Sequence, residues 1–330
     1  ALAALALASA ACRAREEARA PLRVGVVFDI GGRGDRGFND GAAEGAQRAA
    51  SGGGVQVQFA PEGATGLAAM RQMATAGNQL IITVGFLSSH DATLAAREFP
   101  GAHFAVIDYA LPVDEQGRTM LPPPNLAGLN FREEEGSFVV GALAGLTTRT
   151  RQVGFVGGMR SPLIARFEAG YAAGVQRTCP SCAVQVRYAG DTPAGFRDVP
   201  AGRRLATGLY DAGADIVFQA AGETGLGVLQ AARDAGKLAI GVDVDQGAMA
   251  PGHVLTSMLK RIDVAVEDAI RREREGRFRS GVRSYGLAEG GIGYVFDARN
   301  APLIPPPVHT RVEVLRAAIA AGLVTVPTTR

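Results

Sequence analysis

Apolar residues in this chain fall into short continuous runs, and longer stretches with helical spacing separate them. The runs at 22–28, 55–59, 80–84, 103–107 and 126–131 are rich in Val, Ile, Leu and Phe, as strands covered on both faces are. Between them the pattern predicts a helix opening at Phe38-Asn39-Asp40, an amphipathic helix over 65–76, and a loop and helix in GFLSSHDATLAAREF. A second series begins with a helix near Glu134. It continues with strands at 153–156, 184–188, 215–218 and 238–242 and helices over 163–177, 201–212 and 224–235. Beyond His253 the pattern changes. The short apolar run VLTSML precedes Lys260 and a helix to Arg274, short strands with Gly turns fill 285–297, and a last helix is expected over 312–321.

Strand and helix alternation of this kind predicts an α/β fold with parallel sheets. Two successive series followed by returning segments predict two similar lobes, with crossovers near 126–131, 254–258 and 287–294. The expected division is a leader and tether over 1–20, an N-terminal lobe of 22–127 plus 259–290, and a C-terminal lobe of 128–257 plus 291–330. Lobes joined in this way close on a ligand by hinge motion.

Open α/β sheets bind ligands beyond the carboxyl ends of their strands. Asp29 follows the first strand there, and Phe38 and Asn39 follow the glycine-rich turn. Asp108 and Asp243 end two further strands, so acids recur at this position. Gly32, Gly34 and Gly37 also spell the G-x-G-x-x-G of a dinucleotide fold, with Glu62 as a candidate ribose acid. That alternative, an NAD(P)-dependent oxidoreductase, sets Asp29 and Asp35 beside a pyrophosphate and bulky Phe38 where backbone should approach it. No cofactor is therefore expected.

The 330 residues allow two domains and a large core. With 47% apolar and 20% charged residues the chain has the balance of a soluble globular protein. A net charge of +2 gives no electrostatic case for nucleic acid, and the arginines of RREREGRFR read as a solvated helix end. Trp is absent and aromatics make up 6%, which makes a phenyl ring near a pocket a scarce item. The opening ALAALALASAA and Cys12 predict the apolar part of a secretory signal ending in a lipobox-like SAAC. RAREEARA would be the tether that follows, so a lipid on Cys12 would anchor an extracytoplasmic protein to its membrane. Cys179 and Cys182, in CPSC without a nearby His or second pair, predict a local disulfide rather than a metal site. The four dispersed histidines read as structural or surface residues.

Five collinear blocks carry a more specific signal: VGVVFDIGGRGDRGFNDGAAEG, NLAGLNFREEEGSFVVGALAGL, VGFVGGMRSPLIARFEAGYAAGV, GADIVFQAAGETGLGVLQAA and GVDVDQGAMAPGHVLTSMLKRIDVAV. From Leu22 to Val295 the chain resembles the basic membrane protein family, ABC-transporter substrate-binding lipoproteins that include bacterial purine-nucleoside receptors. The resemblance implies a type I periplasmic binding protein, two Rossmann-like lobes joined by three strands, with no enzymatic activity. It also implies a monomer that hands a nucleoside to permease and ATPase subunits. Phe38 and Phe196 match the stacking rings of the two lobes, and Asp29, Asn39 and Asp108 match the base edge and pocket floor. Gly222 matches a backbone contact, while Asp243, with Asp245 close by, and Lys260 match groups that hold ribose hydroxyls. A calcium-dependent nucleoside hydrolase using Asp29, Asp35 and Asp40 is the enzymatic rival; the helix at Phe38 turns Asp40 away from Asp29.

Overall fold

A computed structural model describes residues 20–330. The leader and Cys12 lie outside the described residues. The chain divides into two compact units. The first comprises residues 20–27 together with Ala43–Gly128 and Val266–Gly281; the second comprises Phe28–Ala42, Leu129–Ala265 and Val282–Arg330.

The first sheet is built from β1 (Leu22–Val27), β2 (Val55–Phe59), β3 (Leu80–Thr83), β4 (His103–Ile107), β5 (Leu126–Phe131) and β11 (Gly281–Tyr285). Its order is β2-β1-β3-β4-β5-β11, and β1 to β4 run parallel. Helices α1 (Phe38–Ser51), α2 (Gly66–Thr75) and α3 (Ser89–Glu98) alternate with these strands. All of β3 is buried, as a continuous LIIT run in a sheet covered on both faces must be. Edge strand β2 alternates between buried and open positions. Met70, Met73, Ile81 and Phe104 centre the core of this unit.

The second sheet repeats the plan. Its strands are β6 (Gln152–Met159), β7 (Ala183–Gly190), β8 (Ile216–Ala220), β9 (Leu238–Asp243), β10 (Val254–Lys260) and β12 (Ile292–Tyr294), in the order β7-β6-β8-β9-β10-β12. β6 to β10 pair in parallel and β12 returns antiparallel to β10. The helices are α4 (Glu133–Thr147), α5 (Pro162–Thr178), α6 (Val199–Asp211), α7 (Thr224–Asp234) and, after α8 (Ile262–Arg274), whose residues from Val266 on belong to the first unit, α9 (Pro306–Ala320). Glycines bring α4 and α5 into backbone contact: a Cβ at Gly170 would stand 2.2 Å from the carbonyl oxygen of Glu134, and one at Gly174 2.0 Å from that of Phe138. No other residue fits either position, and this close approach sets the geometry at the start of α4.

Three expectations change. The strand β11 replaces the expected start at Tyr285, because only alternate residues of GVRSY turn inward and its apolar signal is faint. Within 285–297, three residues, Ile292–Tyr294, pair as β12. Helix α9 starts at Pro306 rather than near Val312; proline is tolerated in a first helical turn, where its missing N–H has no partner to lose. Cys179 and Cys182 are joined by a disulfide at the end of α5. Among the described residues no helix is long and apolar enough to cross a membrane.

Candidate functional site

The turn after β1 is built by its own acids. Asp35, buried, accepts hydrogen bonds from the backbone N–H groups of Gly37 (3.0 Å), Asn39 (2.8 Å) and Asp40 (3.1 Å), and so caps α1. Burial raises its carboxyl above the usual range, against the lowering by these three amides. Asp40 accepts from the amides of Gly34 (2.8 Å) and Arg36 (3.0 Å). The loop's amides thus face carboxylates, which leaves a pyrophosphate little to bind and turns Asp35 and Asp40 toward structure. Among the described residues no cluster of acids, histidines or cysteines could hold a metal ion.

Asn39 serves the same loop. Its Oδ1 accepts from the Asp29 amide at 3.0 Å, and its Nδ2 donates to Asp35 Oδ2 at 3.1 Å and to the Ile30 carbonyl at 3.4 Å. These bonds fix the backbone that carries Asp29. Next to it in α1, Phe38 is half-buried and its ring centroid lies 5.2 Å from the Lys260 ammonium.

Lys260 ends β10 with its side chain 1% exposed. Its Nζ also lies 5.1 Å from the Phe131 ring centroid and 5.8 Å from that of Phe167, both within cation–π range. Glu133, the first residue of α4, meets it at 3.0 Å through Oε1, while its Oε2 lies 3.0 Å from the guanidinium of Arg166 on α5. These are close charge contacts rather than aligned hydrogen bonds. The neighbouring Glu134 carboxyl is raised by burial, with Glu133 adding to the rise and Arg166 opposing it.

Asp243 ends β9 beside Lys260: Leu259 is its partner across the sheet. It is buried, holds a left-handed backbone with φ 67°, and its Oδ2 stands 3.8 Å from where a Cβ on Gly37 would be. Asp245 lies apart, its carboxylate paired with Arg299 and accepting from the Gly247 amide at 2.9 Å. Gln246 ties the region together. It donates through Nε2 to the Arg36 carbonyl (3.2 Å), and its Oε1 accepts from Val242 N (3.1 Å) and Gln219 Nε2 (2.9 Å).

Phe196 closes a short 3-10 turn, Pro193–Phe196, and packs on Gly158: a Cβ there would stand 2.3 Å from its Cδ1. Gly222 lies against the same residue, with φ 57°. The structure therefore gathers Asp29, Phe38, Asn39, Asp243 and Lys260 around one loop, and pairs Phe196 with Gly222 in the same unit. Asp108 belongs to the first unit, where it follows β4, buried, with φ 61°.

Sequence reasoning did not single out Glu133, Arg166, Phe131, Phe167 or Gln246. The three glutamates at 133–135 fit the start of a helix, where negative charge is favourable, and that ordinary use hid the buried one.

Residues 22–312 match the Bmp family model, described as ABC transporter substrate-binding protein PnrA-like. The CD4+ T-cell-stimulating antigen of Listeria monocytogenes is 32% identical over 329 residues, covering 92% of this chain and 87% of that protein. The ABC transporter nucleoside-binding protein BmpA of Lactococcus lactis is 28% identical over 364 residues, covering 99% and 98%. Among solved structures, an ABC transporter solute-binding protein from Aeropyrum pernix aligns with a TM-score of 0.80 at 30% identity, covering 94% of each chain.

Proposed function

We propose that this chain, which belongs to the Bmp family of PnrA-like ABC transporter substrate-binding proteins, binds a purine nucleoside outside the cytoplasm and releases it unchanged to a permease powered by an ATPase. The observation that carries this is that a phenyl face at the start of α1 (Phe38) and a buried carboxylate and a buried ammonium at the ends of neighbouring strands (Asp243 and Lys260) lie together in one unit. A base stacked on Phe38 gains about 1–3 kcal/mol whatever its identity. Hydrogen bonds from ribose hydroxyls to the Asp243 carboxylate add about 1.5–3 kcal/mol each. The loop amides accepted by Asp35 and Asp40, and the pairing of Lys260 with Glu133, favour a neutral nucleoside over a nucleotide.

Phe196 is the second stacking ring in this reading, with Gly222 supplying backbone beside it, and Asp29 faces the base edge. Nothing here calls for a nucleophile, a metal or a redox cofactor. Isothermal titration of the purified protein with inosine, guanosine and adenosine should give one site per chain, and the nucleoside should be recovered intact. Absence of binding by all three, or release of free base, would overturn the proposal. In the same reading Cys12 carries a lipid that holds the protein at the membrane. A Cys12→Ser variant expressed with its leader should then move from the membrane to the soluble fraction, and one that stays with the membrane refutes lipid attachment there.

A further inference from the structure

Phe196 is set apart from the rings that make the core of its unit. Phe155, Phe167, Tyr171, Tyr188 and Phe218 pack on one another. Phe196 is half-buried and meets no other ring among the described residues. It rests on glycine backbone at Gly158 and Gly222, so the loop that carries it decides where it stands. One hydroxyl ties that loop on both sides of the ring. Thr224, fully buried at the start of α7, donates from Oγ1 to the Gly195 carbonyl at 2.8 Å and accepts at the same atom from the Asp198 amide at 2.7 Å. These partners lie 29 and 26 residues earlier in the chain, whereas a helical threonine ordinarily bonds within its own helix. Thr224 is itself a fixed point, because α7 presses on α6: a Cβ at Gly202 would stand 2.0 Å from the Thr224 carbonyl oxygen. The other link between the two segments, Arg197 with Glu223 at 3.7 Å, is open to solvent, and such pairs hold little.

We infer that Thr224 is a positioning residue for ligand binding: its hydroxyl holds the loop from Gly195 to Asp198 so that Phe196 presents its ring to the base. Without the hydroxyl, the Gly195 carbonyl and the Asp198 amide lose this partner. A polar group left unsatisfied in a buried place is costly, so the loop shifts toward water and takes the ring with it. Stacking falls off once the two planes no longer overlap, and no second ring stands by to replace Phe196. The inference rests on the nucleoside reading and specifies which part of the nucleoside depends on Thr224, the face of the base and not the ribose hydroxyls.

The test compares inosine with 2′,3′-dideoxyinosine, which keeps the base and lacks both hydroxyls, by isothermal titration on wild type, Thr224→Val, Thr224→Ser, Phe196→Ala and the double variant Phe196→Ala/Thr224→Val. Thr224→Val keeps the shape and loses the hydroxyl, so it should weaken both ligands by about tenfold, the scale of one lost stack. Thr224→Ser keeps the hydroxyl and should bind both within about threefold of wild type. In the Phe196→Ala background Thr224→Val should change affinity by less than about twofold, because the ring it positions is gone. A Val variant that binds like wild type, a loss confined to inosine, a Ser variant as weak as Val, or losses that multiply in the double variant would each overturn the inference. Thr224→Ala, read in the same way, decides the matter if Thr224→Val does not fold. Wild type that binds neither ligand overturns the nucleoside reading itself, an outcome distinct from a wild type that binds both with Thr224→Val indistinguishable from it.

Discussion

Asp243→Asn separates charge from backbone strain at the end of β9. The residue holds φ 67° and is buried. Asn tolerates this left-handed region about as well as Asp and has the same shape, so the backbone strain is the same in both. What changes is the acceptor. A hydrogen bond to a charged group is worth about 1.5–3 kcal/mol and one between neutral groups about 0.5–1.5 kcal/mol. Two ribose hydroxyls would together lose about 2–3 kcal/mol, roughly a 30- to 150-fold rise in Kd. Asp243→Ala adds a second cost, because a side chain without a local polar partner in the left-handed region is disfavoured by about 1–2 kcal/mol. In a unit of this size that lowers Tm by roughly 2–8 °C. Titration with inosine and ligand-free thermal unfolding read the two effects separately. An Asn variant within twofold of wild type in affinity refutes the role of the charge; an Ala variant with unaltered Tm refutes the strain.

Phe38→Ala should weaken inosine and dideoxyinosine alike by about 1–3 kcal/mol, since stacking ignores the sugar; a loss seen only with inosine would contradict a stacking role. Gly158→Ala forces a Cβ to within 2.3 Å of Phe196 Cδ1, so the ring must move. Titration should show about a tenfold weaker complex, and unchanged affinity would mean that Phe196 does not face the ligand. For Asp35, whose carboxyl is raised by burial, the folded state holds its proton more tightly than the unfolded state. Its contribution therefore falls as pH rises from the unfolded value of about 3.9 through the raised folded value. The Tm of wild type minus that of Asp35→Asn should decline over that window; a difference that grows with pH would show the opposite sign.

How far the fold is legible depends on where apolar side chains go. A strand such as LIIT, buried along its whole length, leaves an unmistakable run, whereas GVRSY buries only Tyr285 fully and leaves almost none. The glycine-rich turn is legible as a turn, and the sequence places Asp29, Phe38 and Asn39 at a strand end. It does not reveal that Asn39 points its amide back into the loop, or that Asp35 and Asp40 face the loop's own N–H groups. Glu133 and Gln246 were invisible for a related reason: their partners lie far away along the chain, and no local pattern marks a side chain that is used at long range.

The repeat of strand order carries the argument one step further. In β2-β1-β3-β4-β5 and β7-β6-β8-β9-β10 the strands β4 and β9 hold equivalent places. Each is followed or ended by a buried aspartate in the left-handed region, Asp108 with φ 61° and Asp243 with φ 67°. The sequence displays both acids but not their dihedral angles. A non-glycine residue there is uncommon, and it persists only when its surroundings fix it more strongly than the strain displaces it. Within its own unit, each strand is held by parallel pairing, β4 with β3 and β9 with β8 and β10, so the chain leaving it has little freedom to relax. Turning the backbone left at this point redirects the side chain at the carboxyl edge of the sheet, where an α/β unit meets its ligand. The same uncommon turn thus occurs at the same place in both sheets, on the same residue type, which supports the proposed role of the two acids in ligand binding.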